Sequence, residues 1–240
     1  MTSAVEPRID YRNLIARAIR ILNSRGVMHK SGHVAARDAS DPNHMWINSR
    51  KASRSTLTAT DIVCCDIASG ELVGGGDEPP SEYHIHRAIF SRRPEVGAIV
   101  HSHPEHVVAL SIARRPLLPV TVDGAFLGAK TPIFDDAGHI STPERGRMVA
   151  DALGASAAVV LRGHGIVIVA ENVEQVVTRI ILAEANARTQ YLAEALGTVQ
   201  PLEDEELARV AKHTASPKSI RKAFHYEEET ARRSGALDGV

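Results

Sequence analysis

The stretch VGAIVHSHPEHVVAL, residues 96–110, joins two different patterns within one short segment. Its first half, VGAIVHSH, is an apolar run that ends on two histidines, which is typical of a buried strand. Its second half begins with proline, the residue favoured at the first position of a helix, and continues with apolar residues. The segment predicts a buried strand followed directly by a helix, with His101 and His103 at the junction.

The flanking sequence extends this alternation of strands and helices. Apolar residues recur at helical spacing over residues 14–22, and Gly26 is suited to end that helix. MWINSR (45–50) and DIVCCDI (61–67) predict strands, and EYHIHRAIFSRR predicts a helix that begins at Glu82 behind Ser81 as N-cap. AAVVLRGHGIVIVA (157–170) predicts two apolar strands around a turn, and a long helix follows. The pattern is that of an α/β protein.

Composition restricts the function. The 240 residues are 43% hydrophobic and 24% charged, which suits one globular domain over 1–240 with a helical C-terminal tail over 201–240. The net charge of -1 gives no overall attraction to nucleic acid or to anionic membranes. No apolar run approaches the roughly 20 residues that span a bilayer, and the first residues lack the apolar core of a signal peptide. We therefore expect a cytoplasmic protein with a small-molecule partner.

The histidines suggest a metal site. His101 and His103 are two apart in an extended segment and should face the same side. A zinc-like cation needs a third protein ligand, and His164, held between two glycines after another strand, is the best candidate. Paired histidines can also be hydrogen-bonded surface or core residues, so this spacing alone leaves both interpretations open.

A carboxylate and further histidines accompany this trio. Glu82, at a helix start, is placed to be a ligand or a general acid/base, or simply a solvated residue that suits the helix dipole. His86 lies one turn further on the same face and is interpreted as structural, and His106 as a residue at the rim. His33 and His44 are expected in loops, where His33 stands out because a glycine precedes it.

Three segments carry a family resemblance: SGHVAARD (31–38), SEYHIHRAIFSRRPEVGAIVHSHPEHVVALS (81–111) and VVLRGHGIVIVAENVEQVVTRIILAEANA (159–187). In order and spacing they resemble the class II aldolase/adducin family over nearly the first 200 residues. The resemblance implies a three-layer α/β/α domain with a mostly antiparallel central sheet. It also implies a cyclic homotetramer with active sites at subunit interfaces.

The resemblance also implies roles for residues. His101, His103 and His164 would bind a divalent metal, commonly zinc, with Glu82 as the catalytic acid/base. Iron, manganese or cobalt would fit the same ligands. In the sugar-phosphate aldolases of this family the metal chelates adjacent substrate oxygens and stabilises an enediolate.

The expected substrate pocket departs from those aldolases. Their Gly-Asn loop corresponds here to Lys30, Ser31, Gly32 and His33, so that histidine replaces asparagine. Their Ser-Ser corresponds to Pro80-Ser81, and their Thr-Gly to Ser49-Arg50.

These changes replace several of the residues that form the phosphate site in the sugar-phosphate aldolases. Lys30 and Arg50 are candidates to pair with a carboxylate, and His33 to donate a proton or a hydrogen bond. The alternative is that both cations are solvated loop residues. Substrate contacts are also expected from Ser31, Ser49, Ser81 and, across an interface, Tyr191.

The leading functional hypothesis is decarboxylation of a catechol-type aromatic acid, because the SGH loop resembles family members that act on non-phosphorylated acids such as 3,4-dihydroxyphthalate. Aldol cleavage of a hydroxy-keto acid or sugar derivative is the alternative, since it uses the same stabilised carbanion. Dehydration and iron-dependent oxygenation are also possible on this scaffold. From another class, adducin-like heads act as protein-binding modules without catalysis.

Overall fold

Short apolar runs form one eight-stranded sheet in the computed structural model, which describes residues 9–214 and 216–240. The strands are β1 (His33–Arg37), β2 (His44–Asn48), β3 (Ile62–Asp66), β4 (Leu72–Gly74), β5 (Ala98–Ser102), β6 (Ile133–Phe134), β7 (Ala158–Leu161) and β8 (Gly165–Ala170). The helices are α1 (Tyr11–Ser24), α2 (Tyr83–Arg92), α3 (Glu105–Ile112), α4 (Pro143–Leu153), α5 (Val173–Leu196), α6 (Asp204–Thr214) and α7 (Pro217–Arg233). None of the helices in these ranges combines the length and apolarity needed to cross a bilayer.

The strand order is β4-β3-β2-β1-β5-β8-β7-β6. Neighbouring strands in this order are antiparallel, except that β6 pairs with β7 in parallel. The structure therefore confirms the mostly antiparallel central sheet.

Helices cover both faces of this sheet, and the residues of each strand alternate between them. On β5, Val100 packs with residues of α1 and α5 such as Ile19 and Val177. The adjacent Ile99 packs on the other face with α2 and α4, represented by Ile89 and Val149. The expected three-layer α/β/α architecture is thus confirmed.

Two loop assignments were wrong. His33 and His44 are the first residues of β1 and β2, and not loop residues. The cause is a long-range contact, since β1 lies between β2 and β5 and His33 pairs with His101. The helix expected from Glu82 begins one residue later, at Tyr83, with Glu82 in the N-cap position.

The predicted C-terminal helices are α6 and α7. Phe224 and Ala231 of α7 are buried in the same core cluster as α1 and α5. Arg17 on α1 adds an ion pair of 2.7 Å to Glu228. The last helix is therefore held against its own chain.

A close backbone approach connects the fold to the histidines. A methyl group at Gly165 would lie 2.2 Å from the Ser102 carbonyl oxygen and 3.0 Å from Cδ2 of His103. The start of β8 can reach the end of β5 only because this residue has no side chain.

We expect Gly165→Ala to lower the free energy of unfolding by about 1–3 kcal/mol, because the strands must shift to admit the methyl group. Urea unfolding in the presence of a chelator measures this without a contribution from bound metal. Gly76→Ala is the matched control, since its methyl group meets nothing within 4 Å. Equal stabilities of the two variants would contradict the prediction.

Candidate metal centre

The β5–β8 pairing orients His101. Its side chain is fully buried, and its Nδ1 lies 3.1 Å from the Ile166 carbonyl oxygen of β8. A carbonyl only accepts hydrogen bonds, so Nδ1 carries the proton and Nε2 presents a lone pair on the opposite side of the ring. This is the arrangement in which a carbonyl orients a metal-binding imidazole.

His103 and His164 converge on the same point. The Nε2 atoms of His103 and His101 are 3.2 Å apart. His164 lies in the tight turn between β7 and β8, where Gly163 has a φ of 65°, and its ring stacks on that of His103 at 5.1 Å. The structure thus brings together the three histidines expected as ligands.

Glu82 completes the cluster. Its Oε2 lies 3.5 Å from Nε2 of His101 and 3.6 Å from Nε2 of His164. One ligand atom from each of Glu82, His101, His103 and His164 lies within 4.8 Å of the others. The Glu82 side chain makes no capping hydrogen bond to its own helix, so the carboxylate is directed to the histidines instead.

These distances suit a metal ion. Ligands about 2.05 Å from a tetrahedral zinc lie about 3.3 Å from one another, close to the 3.2, 3.5 and 3.6 Å found between the ligand atoms. Because Nδ1 of His101 donates to Ile166, its Nε2 lone pair faces the nearby atoms of Glu82 and His103. A cation at their centre would satisfy all of these groups, and the residues therefore fit a divalent metal.

The electrostatics agree with this interpretation. Burial opposes ionisation of Glu82, but contacts from His101 and His164 and the Ile140 N–H outweigh it and hold the pKa of the carboxyl well below its usual range. Burial and the neighbouring His101 lower the pKa of His103 to about 3. An ionised carboxylate beside a neutral imidazole is the protonation state in which both can bind a metal.

Two more histidines, His33 and His86, lie next to the cluster on the side of His101. Nε2 of His86 is 3.4 Å from Nδ1 of His33, and the His33 ring is 5.3 Å from that of His101. Burial, reinforced by His101 and His86, holds the pKa of His33 well below its usual range. His86 is fully buried, which agrees with the structural role expected for it.

The residues expected to bind substrate lie on loops near His33. Ser49 is buried, Ser31 and Ser81 are half-buried, and Lys30 and Arg50 are exposed. The Arg50 guanidinium lies 3.8 Å from the Glu78 carboxylate. The substrate contacts of these five residues remain predictions.

His106 and Tyr191 form a separate contact on α3 and α5. Nδ1 of His106 lies 2.6 Å from the Glu184 carboxylate, which also accepts hydrogen bonds from the N–H groups of His106 and Val107. The half-exposed Tyr191 ring lies 5.7 Å from the His106 ring. His106 lies three residues beyond His103, near the start of α3, and Tyr191 of α5 lies beside it.

Sequence reasoning missed two residues of this region. Nδ1 of His139 lies 2.7 Å from Oε1 of Glu82. Arg54 is buried and donates hydrogen bonds to the carbonyl oxygens of Gly32 at 2.9 Å and Ser49 at 3.4 Å. Neither residue stands in a periodic segment or a motif, and only the fold brings them to the site.

A three-layer α/β protein with three histidines and a glutamate clustered at the end of a central strand defines the class of molecule. The model for the Class II Aldolase and Adducin N-terminal domain matches residues 13–191. The chain therefore belongs to the class II aldolase and adducin family, as the resemblance indicated.

Individual relatives agree with this assignment. A 3,4-dihydroxyphthalate decarboxylase of Terrabacter sp. (strain DBF63) is 33% identical over 216 residues, which cover 80% of this chain and 86% of that protein. A 4-hydroxy-3-prenylphenylpyruvate oxygenase/4-hydroxy-3-prenylbenzoate synthase of Streptomyces roseochromogenus subsp. oscitans is 31% identical over 175 residues, covering 71% of this chain and 63% of that protein. The chain thus spans less than two thirds of the second relative.

A solved structure supports the fold. The L-fuculose 1-phosphate aldolase from Glaciozyma antarctica PI12 has a TM-score of 0.83 at 24% identity, covering 98% of this chain and 95% of that one. The decarboxylase among these relatives supports the expectation of an enzyme of the lyase class.

We expect the protein to bind about one divalent ion per chain through the cluster. Saturation with metal at about 100 times Kd should stabilise the fold by about 2.7 kcal/mol, and a chelator should remove that increment. Elemental analysis and thermal unfolding measure the two effects.

His164→Ala should lose the metal and the metal-dependent stabilisation. His44→Ala is the control, because His44 pairs with Asp41 on the surface at 3.2 Å. Retention of a full equivalent of metal by His164→Ala would show that this histidine is not a ligand.

Proposed function

We propose that the chain is a divalent-metal-dependent carbon–carbon lyase that decarboxylates a catechol-type aromatic carboxylic acid. The convergence of His101, His103, His164 and Glu82 on one point carries the proposal. The cluster reaches solvent on one side, where the His164 side chain is 16% exposed, while His101 is fully buried. A substrate can therefore approach from the side of His164.

The three histidines would hold the ion, for which we propose zinc, with iron, manganese or cobalt as alternatives on the same ligands. An ion held there would supply Lewis-acid chemistry, polarising adjacent substrate oxygens. This polarisation favours reactions that leave an electron pair on a neighbouring carbon.

Glu82 moves the proton in this scheme. Its ionised Oε2 accepts the proton of a catechol hydroxyl as the substrate binds. The bond between ring and carboxylate then breaks, carbon dioxide leaves, and the electron pair stays on the ring carbon. Oε2 returns its proton to that carbon, and solvent reprotonates the hydroxyl when the product departs.

Cationic and hydroxyl groups on the neighbouring loops are proposed to recognise the acid. Lys30 and Arg50 are exposed cations that can pair with a substrate carboxylate, and Ser31, Ser49 and Ser81 supply hydroxyl groups. His33 is buried, and we propose that it acts as a neutral hydrogen-bond donor.

A buried charge supports the choice of an acidic substrate. The Arg54 guanidinium gives its hydrogen bonds to backbone carbonyl oxygens, including those of Gly32 and Ser49, and so contributes positive potential beside His33. A relative named as 3,4-dihydroxyphthalate decarboxylase points to the same substrate class.

Subunit assembly forms part of the proposal. We propose a homotetramer in which active sites lie at subunit interfaces. Tyr191 is 54% exposed and beside His106, and it is the candidate to donate its hydroxyl to substrate held by a neighbouring subunit.

Aldol cleavage is the second candidate, because the same ligands and Glu82 can stabilise the carbanion that results when an aldehyde leaves. The structural likeness to an aldolase favours keeping it. A non-catalytic, adducin-like role is disfavoured because the full ligand set is present and converges.

We expect the zinc-loaded protein to bind a catechol dicarboxylate, seen as a shift of its ultraviolet absorption, and to release carbon dioxide in equal amount to the decarboxylated catechol. Glu82→Gln should lower kcat by about 100-fold or more, since it removes the proton carrier. Manometry and chromatography of the product measure both.

Three outcomes separate the hypotheses. Carbon dioxide supports the decarboxylase, whereas an aldehyde from a hydroxy-keto acid without carbon dioxide would replace it with an aldolase. A metal-loaded protein that binds none of these compounds would rule out both the decarboxylase and the aldolase hypotheses.

A further inference from the structure

Glu82 uses its two carboxylate oxygens differently. Oε1 accepts a hydrogen bond from the Ile140 N–H at 2.9 Å, and Nδ1 of His139 lies 2.7 Å from the same oxygen. Oε2 instead faces Nε2 of His101 and of His164. One oxygen is therefore anchored by the loop between β6 and α4, and the other is presented to the histidine cluster.

We propose that His139 is a positioning residue, whose Nδ1–H holds Glu82 so that Oε2 faces the metal ligands. This role deepens the proposed function and rests on it. His139 does not belong to the ligand cluster, and its own side chain is 64% exposed.

The helix gives Glu82 no alternative support. A carboxylate at an N-cap position ordinarily accepts a hydrogen bond from the N–H groups of its own first turn. Glu82 makes no such bond, and its side chain is only 6% exposed. The orientation of this buried carboxylate consequently depends on the donors of the 135–142 loop.

That loop is itself held in place. Ile140 is fully buried between α2 and α4 in the core cluster on that face. On the other side of His139, Arg145 pairs with Asp136 at 2.9 Å and donates to the Gly138 carbonyl oxygen at 3.2 Å. The backbone on both sides of His139 is fixed, so its imidazole is presented to Glu82 at a defined position.

The side chain of His139 is proposed to restrain the Glu82 carboxylate in addition to the backbone N–H of Ile140. The Ile140 N–H and Nδ1 of His139 approach the same oxygen from two residues, and two contacts restrict the rotation of a carboxylate more than one does. Removing the imidazole should leave Glu82 anchored by one hydrogen bond and free to rotate about it.

Two substitutions separate the hydrogen bond from the ring. His139→Phe keeps the ring and removes the donor, whereas His139→Asn keeps an N–H at the δ position. Because the side chain is exposed, we expect both variants to fold, and thermal unfolding of the metal-free proteins checks this.

The first readout needs no substrate. Each variant is titrated with Co²⁺ against a competing chelator while the visible absorption is recorded. We expect His139→Phe to weaken Co²⁺ binding by about tenfold and to change the absorption bands, because the ionised Glu82 carboxylate would no longer be held beside the three histidines. His139→Asn should retain the affinity within about threefold and restore the bands.

The second readout tests the route of the effect. In a Glu82→Gln background, His139→Phe should cause no further loss of Co²⁺ affinity, because the group it positions is gone. With an active substrate, His139→Phe should lower kcat by about tenfold with little change in KM, since the proposed role of His139 acts through Glu82.

The Co²⁺ measurements test the positioning role of His139 independently of the proposed reaction. An unchanged Co²⁺ affinity and spectrum in His139→Phe would overturn the positioning role, as would an undiminished effect in the Glu82→Gln background. If no acid is turned over but the Co²⁺ results are as expected, the proposed reaction fails and the positioning of Glu82 stands.

Discussion

The antiparallel pairing of β5 with β8 is the constraint on which the site depends. It places His101 opposite Val167 and Ser102 opposite Ile166, so that the Ile166 carbonyl meets Nδ1 of His101. The same pairing carries the β7–β8 turn, and with it His164, to the end of β5. A slip of one residue would turn His101 to the other face of the sheet. The geometry of the histidine cluster is therefore a consequence of strand register.

The carboxylate of the cluster depends on a different layer. Glu82 is the N-cap residue of α2, which packs against α4. The loop preceding α4 supplies the Ile140 N–H that donates to Oε1, and it also places Nδ1 of His139 2.7 Å from that oxygen. The sheet thus orients the histidines, while the helix pair on one face orients the acid. A buried carboxylate among neutral imidazoles is costly unless it is well hydrogen-bonded or beside a cation. The Ile140 N–H supplies a hydrogen bond, and a bound metal ion would supply the positive charge.

Much of this arrangement could be predicted from the sequence. The apolar run before His101, the proline that starts α3 and the glycines around His164 are local signals, and each agreed with the structure. Local signals failed for His33, because β1 is short and is a strand through its pairing with β2 and β5. They also failed for His139, which lies far from Glu82 in the chain and meets it through the packing of α2 on α4. No periodicity or spacing encodes such a contact.

Arg54 connects two loops that are proposed to contact the substrate. Its guanidinium donates to the carbonyl oxygens of Gly32 and Ser49, which belong to the two loops that depart from the sugar-phosphate aldolases. The buried Arg54 therefore links the two loops, and its hydrogen bonds to them involve only protein atoms. The strand that carries His33 pairs with β5 opposite His101, so the histidine expected in place of asparagine is held by the same sheet as the cluster. Under the proposed function, loops connected by Arg54 beside a fixed histidine cluster would allow the recognised anion to vary while the proposed carbanion-stabilising site stayed the same.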